Sequence, residues 1–257
     1  MDRRRITIDA EPVDLVFDDL YGAGVAEVFE PEMTAVVNRS GEPSAMALDV
    51  GANIGCTAIL LAQHSTHVHA FEAVPSTCAV LERNVATNGR GRITVHGFGL
   101  GDEAGEVMYT RRTSDRSGSF VDTTGNELVD HVSEVGEIRT LDSMIDEFDS
   151  RIGLVKIDVE GFELHVLRGA RELLAAHAPT VVLEMNHYCL NVFQRTSIPD
   201  FLDELRAIFP TLVAIDRNTF HAVDLHDPSP AYFAVHEHIT GSNYMTLVGS
   251  PSGATLR

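Results

Sequence analysis

The chain has 257 residues, 19 Lys+Arg against 38 Asp+Glu, a formal net charge of −19, and 44% apolar residues. That is enough for one large domain or two small ones with a substantial core, and too apolar for a disordered chain. The charge argues against nucleic-acid backbone as a partner. The apolar runs fall far short of the ~18 residues of a membrane span, and no basic stretch followed by an apolar one opens the chain. Cys56, Cys78 and Cys189 are odd in number and lack a CxxC pair, which argues against a disulfide framework or a zinc ribbon. A cytoplasmic protein with no membrane span is the expectation.

The first ~45 residues hold a basic cluster, Arg3-Arg4-Arg5, and a helix after Pro31, and precede the first core strand as a cap segment (1–44). Short apolar segments predict strands at 45–50, 67–72, 93–97, 154–158, 180–184, 212–216 and 244–248. Helices are predicted between them. One follows the glycine turn at 56–63. One opens at Pro75 and stops at Gly89. One spans 163–177 with a break at Gly169, and one runs over 199–209, with Pro210 closing it. Residues 102–138 are rich in Gly, Ser, Thr and Asp and interrupt the alternation. They predict a β-excursion (103–140 as an insertion), with strand pieces at 106–110 and 137–140 and an exposed loop around 113–125. Strands alternating with helices imply an α/β domain over 1–257, with a mainly parallel sheet covered on both faces.

The strongest local signal is Asp49-Val50-Gly51-Ala52-Asn53-Ile54-Gly55, a strand running into a glycine turn and a helix. Such a turn lies at the ligand-binding edge of a doubly wound sheet. A dinucleotide fingerprint starting at Gly51 would need glycines where Asn53 and Cys56 stand, so an NAD-dependent oxidoreductase is disfavoured. Glu72 ends the second strand, where a carboxylate can accept ribose hydroxyls. An acidic turn, a ribose-binding acid and no phosphate cradle suit a nucleoside with a positive centre, such as S-adenosylmethionine. Asp49 would serve its ammonium or an amide of the turn.

A series of ordered stretches resembles the FkbM family of S-adenosylmethionine-dependent methyltransferases. These are Asp49 to Gly55; Phe71-Glu72-Ala73-Val74-Pro75; Asn84 to Gly89; Gly99-Leu100-Gly101-Asp102 with Gly105-Glu106; Thr140-Leu141-Asp142; Lys156-Ile157-Asp158-Val159-Glu160-Gly161-Phe162-Glu163; and Val182-Leu183-Glu184. The resemblance spans residues 29–183 and is weaker beyond. It implies the class I methyltransferase (Rossmann-like) fold, a seven-stranded, mostly parallel sheet with the last strand antiparallel and helices on both faces. It also implies O-methylation of a hydroxyl on a natural product, sugar or glycolipid. The donor would lie across Asp49, Gly51, Ala52, Asn53, Gly55, Glu72, Ala73, Gly101 and Asp102.

Asp158 ends the fourth strand, next to the first, and Glu160 stands in the following turn, so both are candidates to hold the acceptor hydroxyl or take its proton. Lys156 is expected to pair with a carboxylate. His187, after the fifth strand, is the first choice of general base because imidazole titrates near working pH. Asp158, Glu184 and Asn186 offer three oxygen donors that would suit Mg²⁺. Ser119 and Phe120 could meet the acceptor. His236 and His238 at strand spacing would face one side, a weak metal signal. A module that binds the nucleoside without transferring methyl is the alternative function, and a homo-oligomer is compatible with either.

Overall fold

The computed structural model describes residues 1–121 and 129–253. The chain opens on a hairpin, β1 (Asp2–Ile8) and β2 (Glu11–Phe17), followed by α1 (Leu20–Gly24) and α2 (Pro31–Ser40). Strand and helix then alternate through β3 (Met46–Val50), α3 (Cys56–Leu61), β4 (Val68–Phe71), α4 (Pro75–Asn88) and β5 (Ile93–His96). Four strands form a second sheet: β6 (Gly99–Leu100), β7 (Gly105–Arg112), β8 (Asp115–Val121) and β9 (His131–Arg139). After a short 3₁₀ segment (Asp142–Glu147) come β10 (Ile152–Ile157), α5 (Glu163–Arg168), α6 (Arg171–His177), β11 (Thr180–Glu184) and α7 (His187–Val192). The described chain ends with α8 (Ile198–Ile208), β12 (Thr211–Ile215), β13 (Ala222–Asp224), α9 (Pro228–Gly241) and β14 (Thr246–Ser250).

The main sheet has the order β13-β12-β14-β11-β10-β3-β4-β5. Neighbours from β11 to β5 are parallel, and β14 runs antiparallel to both β11 and β12. The sheet with an antiparallel last strand is therefore the expected one. The count differs: β13, three residues paired antiparallel to β12, adds an eighth strand at the edge.

Period-two alternation sorts the strand side chains onto two faces. Leu48, Val50, Val155, Ile157, Val181 and Leu183 pack into one core with α5 to α9. Ala47, Ala70, Leu154 and Val182 pack into the other with the hairpin, α2, α3 and α4. Asp49 and Lys156, which are register partners, break the apolar pattern on this second face. The free edge of β2 is closed by α4. Asn84 Oδ1 accepts from Val16 N at 2.7 Å and its Nδ2 donates to Val16 O at 3.1 Å, while Asn88 repeats the pairing with Asp14. Two amides four residues apart on one helix face thus stand in for a strand.

Two expectations are corrected. The exposed loop around 113–125 is in its first half a turn and β8; residues 122–128 lie outside the described residues. His236 and His238 lie on helix α9, so they point to different faces: His236 is exposed and His238 is buried. No helix among the described residues is long and apolar enough to cross a membrane.

Candidate functional site

At the C-terminal edge of β3, Gly51 N and Ala52 N donate to Phe71 O at 3.0 and 2.9 Å, so the turn is clipped to the end of β4. Gly51 has φ +82°, and a Cβ there would lie 1.8 Å from the Asp158 carbonyl oxygen. Only glycine lets the β3 and β10 turns meet this closely. Beyond Phe71, Glu72 is buried, and its carboxylate accepts from Asn53 N (Oε2) and Val74 N (Oε1), each at 2.9 Å. Burial pushes the Glu72 carboxyl up to about 7, with the two amides working against the shift. Glu72 is therefore fixed in orientation, with one lone-pair direction left on each oxygen. Gly51, Ala52, Asn53, Glu72 and Ala73 line a cavity of about 220 Å³.

Behind this turn Lys156, with a 5% exposed side chain, ties the two strands. Its Nζ lies 3.2 Å from Asp158 Oδ2, 3.5 Å from Asp49 Oδ1 and 3.4 Å from Gly51 O. Burial works against its charge, but Asp158 and Asp49 outweigh burial and hold the ammonium above its ordinary pKa. Asp49 is fully buried and its pKa is raised, chiefly by that burial.

At the other wall of the cavity, ligand-capable oxygens of Asp158, Glu160 and Glu184 lie within 4.8 Å of one another. Burial and then Asp158 push both Glu160 and Glu184 up, and Glu184 hydrogen-bonds Asp158. Like charges this close do not all ionise together. Glu160 Oε2 accepts from Asn186 Nδ2 at 3.1 Å and from Cys189 Sγ at 3.0 Å. Its turn is set by the fully buried Glu163, whose Oε1 accepts from Val159 N and Gly161 N, each at 3.1 Å. A second cavity of about 390 Å³ shares Glu30, Lys156, Asp158 and Glu184 with the first and extends to Arg217 and Phe220.

Several expected residues lie elsewhere. Asp49 sits behind the turn against Lys156, not on the cavity wall, and Gly55 serves as the left-handed N-cap of α3. Gly101 and Asp102 are also off the wall: Asp102 binds His165 Nδ1 at 3.0 Å, and a Cβ on Gly169 would meet the Gly101 carbonyl. The lining comes two residues earlier, from Gly99 and Leu100. His187 packs edge-to-face on His238 and lines neither cavity. Asn186 spends its oxygen on Cys189 N, capping α7, and its NH₂ on Glu160. It is therefore replaced by Glu160 in the oxygen cluster. Ser119 lines the first cavity from β8, whereas Phe120 is buried and stacked on Phe193. Tyr21, Glu30 and Tyr109 also line it. No local motif marks these three; only the return of α1, α2 and β7 over the sheet edge brings them in.

A doubly wound parallel sheet with a glycine turn after its first strand and an amide-held acid ending its second defines an α/β protein whose cavity lies at the C-terminal edge of the sheet, where ligands bind in this architecture. Residues 49–212 match the model of the methyltransferase FkbM domain, and the chain belongs to that family. It is 30% identical over 199 residues to the AMB antimetabolite synthetase AmbE of Pseudomonas aeruginosa, covering 62% of this chain and 9% of that protein. It is 28% identical over 155 residues to the hexuronic acid methyltransferase AglP of Haloferax volcanii, covering 56% and 58%. The chain thus spans less than two thirds of the length of these relatives. Among solved structures, a methyltransferase FkbM from Methylobacillus flagellatus aligns with a TM-score of 0.47 at 21% identity, over 81% of this chain and 44% of that one.

Proposed function

We propose that the chain is an S-adenosylmethionine-dependent O-methyltransferase that acts, as one cytoplasmic domain, on a hydroxyl of a natural product, sugar or glycolipid. The observation that carries this reading is a single cavity with amide-fixed Glu72 on one wall and the Asp158–Glu160–Glu184 cluster on another. The residues fit the donor: Glu72 has lone pairs free for ribose hydroxyls, and the carboxyl cluster favours a cation. When bound, the donor supplies an electrophilic methyl group on a sulfonium.

The second cavity is where the acceptor fits, since it meets the first at Asp158 and Glu184. Asp158 takes the hydroxyl proton as the acceptor oxygen is alkylated, the role the sequence suggested for His187. Lys156, 3.2 Å away, steadies that carboxylate, and Glu184 keeps its own proton and donates to it. Holding the acceptor in line with the methyl group supplies much of the rate.

A second reading rests on the same cluster: Mg²⁺ held by Asp158, Glu160 and Glu184 would acidify the hydroxyl instead. Turnover that survives a chelator supports the carboxylate base; loss restored by Mg²⁺ supports the metal.

The test is S-adenosylhomocysteine formation across a panel of hydroxyl acceptors, hexuronic acids included because of the Haloferax relative, with calorimetry of donor binding. Glu72→Ala should weaken donor binding at least tenfold; unaltered binding would sink the ribose assignment. Donor binding without turnover on any acceptor would favour a nucleoside-binding module.

A further inference from the structure

Tyr109 was not marked by any motif, yet two strands leave room for it. On β7 it faces Glu134 of β9 and Val121 of β8, and the residue is 8% exposed. Its ring enters between β6, β9 and the turn that carries Glu72. A Cβ at Gly99 would lie 2.3 Å from the phenolic oxygen and 2.9 Å from Ala73 Cβ. A Cβ at Gly136 would lie 2.8 Å from ring carbon Cε2 and 2.6 Å from the Ala73 carbonyl oxygen. Glycine in a strand costs stability, so two side chains are given up to admit this ring.

Tyr109 lines the same cavity as Glu72, and its phenolic oxygen lies against Gly99, another residue of that wall. Burial, with the Glu72 charge adding to it, raises the phenol pKa. A phenol next to a carboxylate ordinarily donates to it, but the two Glu72 oxygens take amide hydrogens from Asn53 and Val74 and no bond to Tyr109 forms. The hydroxyl has no hydrogen-bond partner among the described residues. Two polar groups that line one cavity and do not bond each other can both be met by a hydroxyl bound there. A ribose hydroxyl can accept from one and donate to the other.

We infer that Tyr109 is a donor-binding residue: its hydroxyl donates to the oxygen of one ribose hydroxyl, whose own hydrogen goes to Glu72. This assignment rests on the donor reading above and adds to it a selection for a ribonucleoside from the second sheet.

The experiment is calorimetric titration of wild type and Tyr109→Phe with S-adenosylhomocysteine and with its 2′-deoxy and 3′-deoxy analogues. Tyr109→Phe should bind S-adenosylhomocysteine about tenfold more weakly. One of the deoxy analogues should bind both proteins equally, because the bonded hydroxyl is already gone. The thermal midpoint of the ligand-free variant should not fall, since the lost oxygen had no partner among the described residues; a fall would mark Tyr109 as structural and overturn the assignment. Equal affinity of the two proteins for S-adenosylhomocysteine, or the same loss for it and both analogues, would also overturn it while leaving the donor reading intact. A wild-type chain that does not bind S-adenosylhomocysteine refutes the donor reading and this assignment together.

Discussion

Replacing Lys156 with methionine isolates the charge that holds the site together. The stem is kept, so packing changes little; what disappears is the counter-charge between Asp158 and Asp49. Asp49 is fully buried and neither of its oxygens has a hydrogen-bond partner among the described residues, so Lys156 is its main compensation. Removing one partner of a buried pair costs about 3–5 kcal/mol. The low end applies, because the Asp158 side chain is 36% exposed and water can take over part of its solvation. Asp49 has a second escape, protonation, since burial already raises its pKa.

Without Lys156 that pKa rises further above the unfolded value. A carboxyl of this kind gives stability at low pH and loses it as pH rises. Lys156→Met should therefore cost about 3 kcal/mol at pH 8 and clearly less at pH 5. Against a typical total of about 5–15 kcal/mol the variant stays folded. Urea unfolding reads the loss as a shifted midpoint at constant slope. Adding Asp49→Asn should recover most of it, because the uncompensated charge is gone. A loss under about 1 kcal/mol at pH 8, or no recovery in the double variant, would refute the hub role.

Three further outcomes follow from the same groups. Glu163, fully buried, is pushed by burial from the usual 4.5 to about 7, so its stabilising protonation is lost as pH rises through that window. Glu163→Gln keeps an oxygen for Val159 N and Gly161 N and should gain up to about 3 kcal/mol on wild type between pH 5 and 8, read from urea midpoints. His69 is half-buried, its Nδ1 2.9 Å from His96 Nε2, and burial followed by its histidine neighbours lowers its pKa from 6.5 to about 4. The native state then binds fewer protons than the unfolded one across that window, so stability falls on acidification, by about 2 kcal/mol after solvent screening; His69→Gln should flatten that slope. Finally, the carboxyl cluster should hold cationic S-adenosylmethionine better than neutral S-adenosylhomocysteine. The affinity ratio should grow several-fold from pH 6 to pH 8.5 as Glu160, pushed up to about 8 by burial and by Asp158, ionises, and a ratio indifferent to pH in paired titrations would count against the cluster as the sulfonium's neighbour.

What the sequence makes legible is what neighbouring residues decide among themselves. Pro75 and Gly89 bracket α4, and 180–184 is short, apolar and punctuated, so both elements stand where expected. The hairpin carries an equally local signal, with Ile6, Ile8, Val13, Leu15 and Phe17 alternating inward. It is obscured because Ala10 takes the second turn position at positive φ, after Asp9, where glycine is usual. Helix α9 is hidden for a different reason: Tyr232 and Phe233 are exposed while a histidine is buried, so its apolar face is not the buried one.

The site divides in the same way. Gly51 to Asn53 and Glu72 are set by turns adjacent to them in sequence, and the motif finds them. Whether an acid at a strand end faces the ligand depends on what else competes for it. Asp49 is taken by Lys156 from the next strand, Asp102 by His165, and Asn186 by the cap of α7. Asp158, Glu160 and Glu184 still line the cavity: Lys156 compensates part of Asp158, Asn186 and Cys189 donate to Glu160, and the three carboxyls crowd one another, an arrangement unfavourable for stability. Residue type and spacing nominate all six. Only the tertiary partners separate the three that lie off the cavity wall from the three that line it.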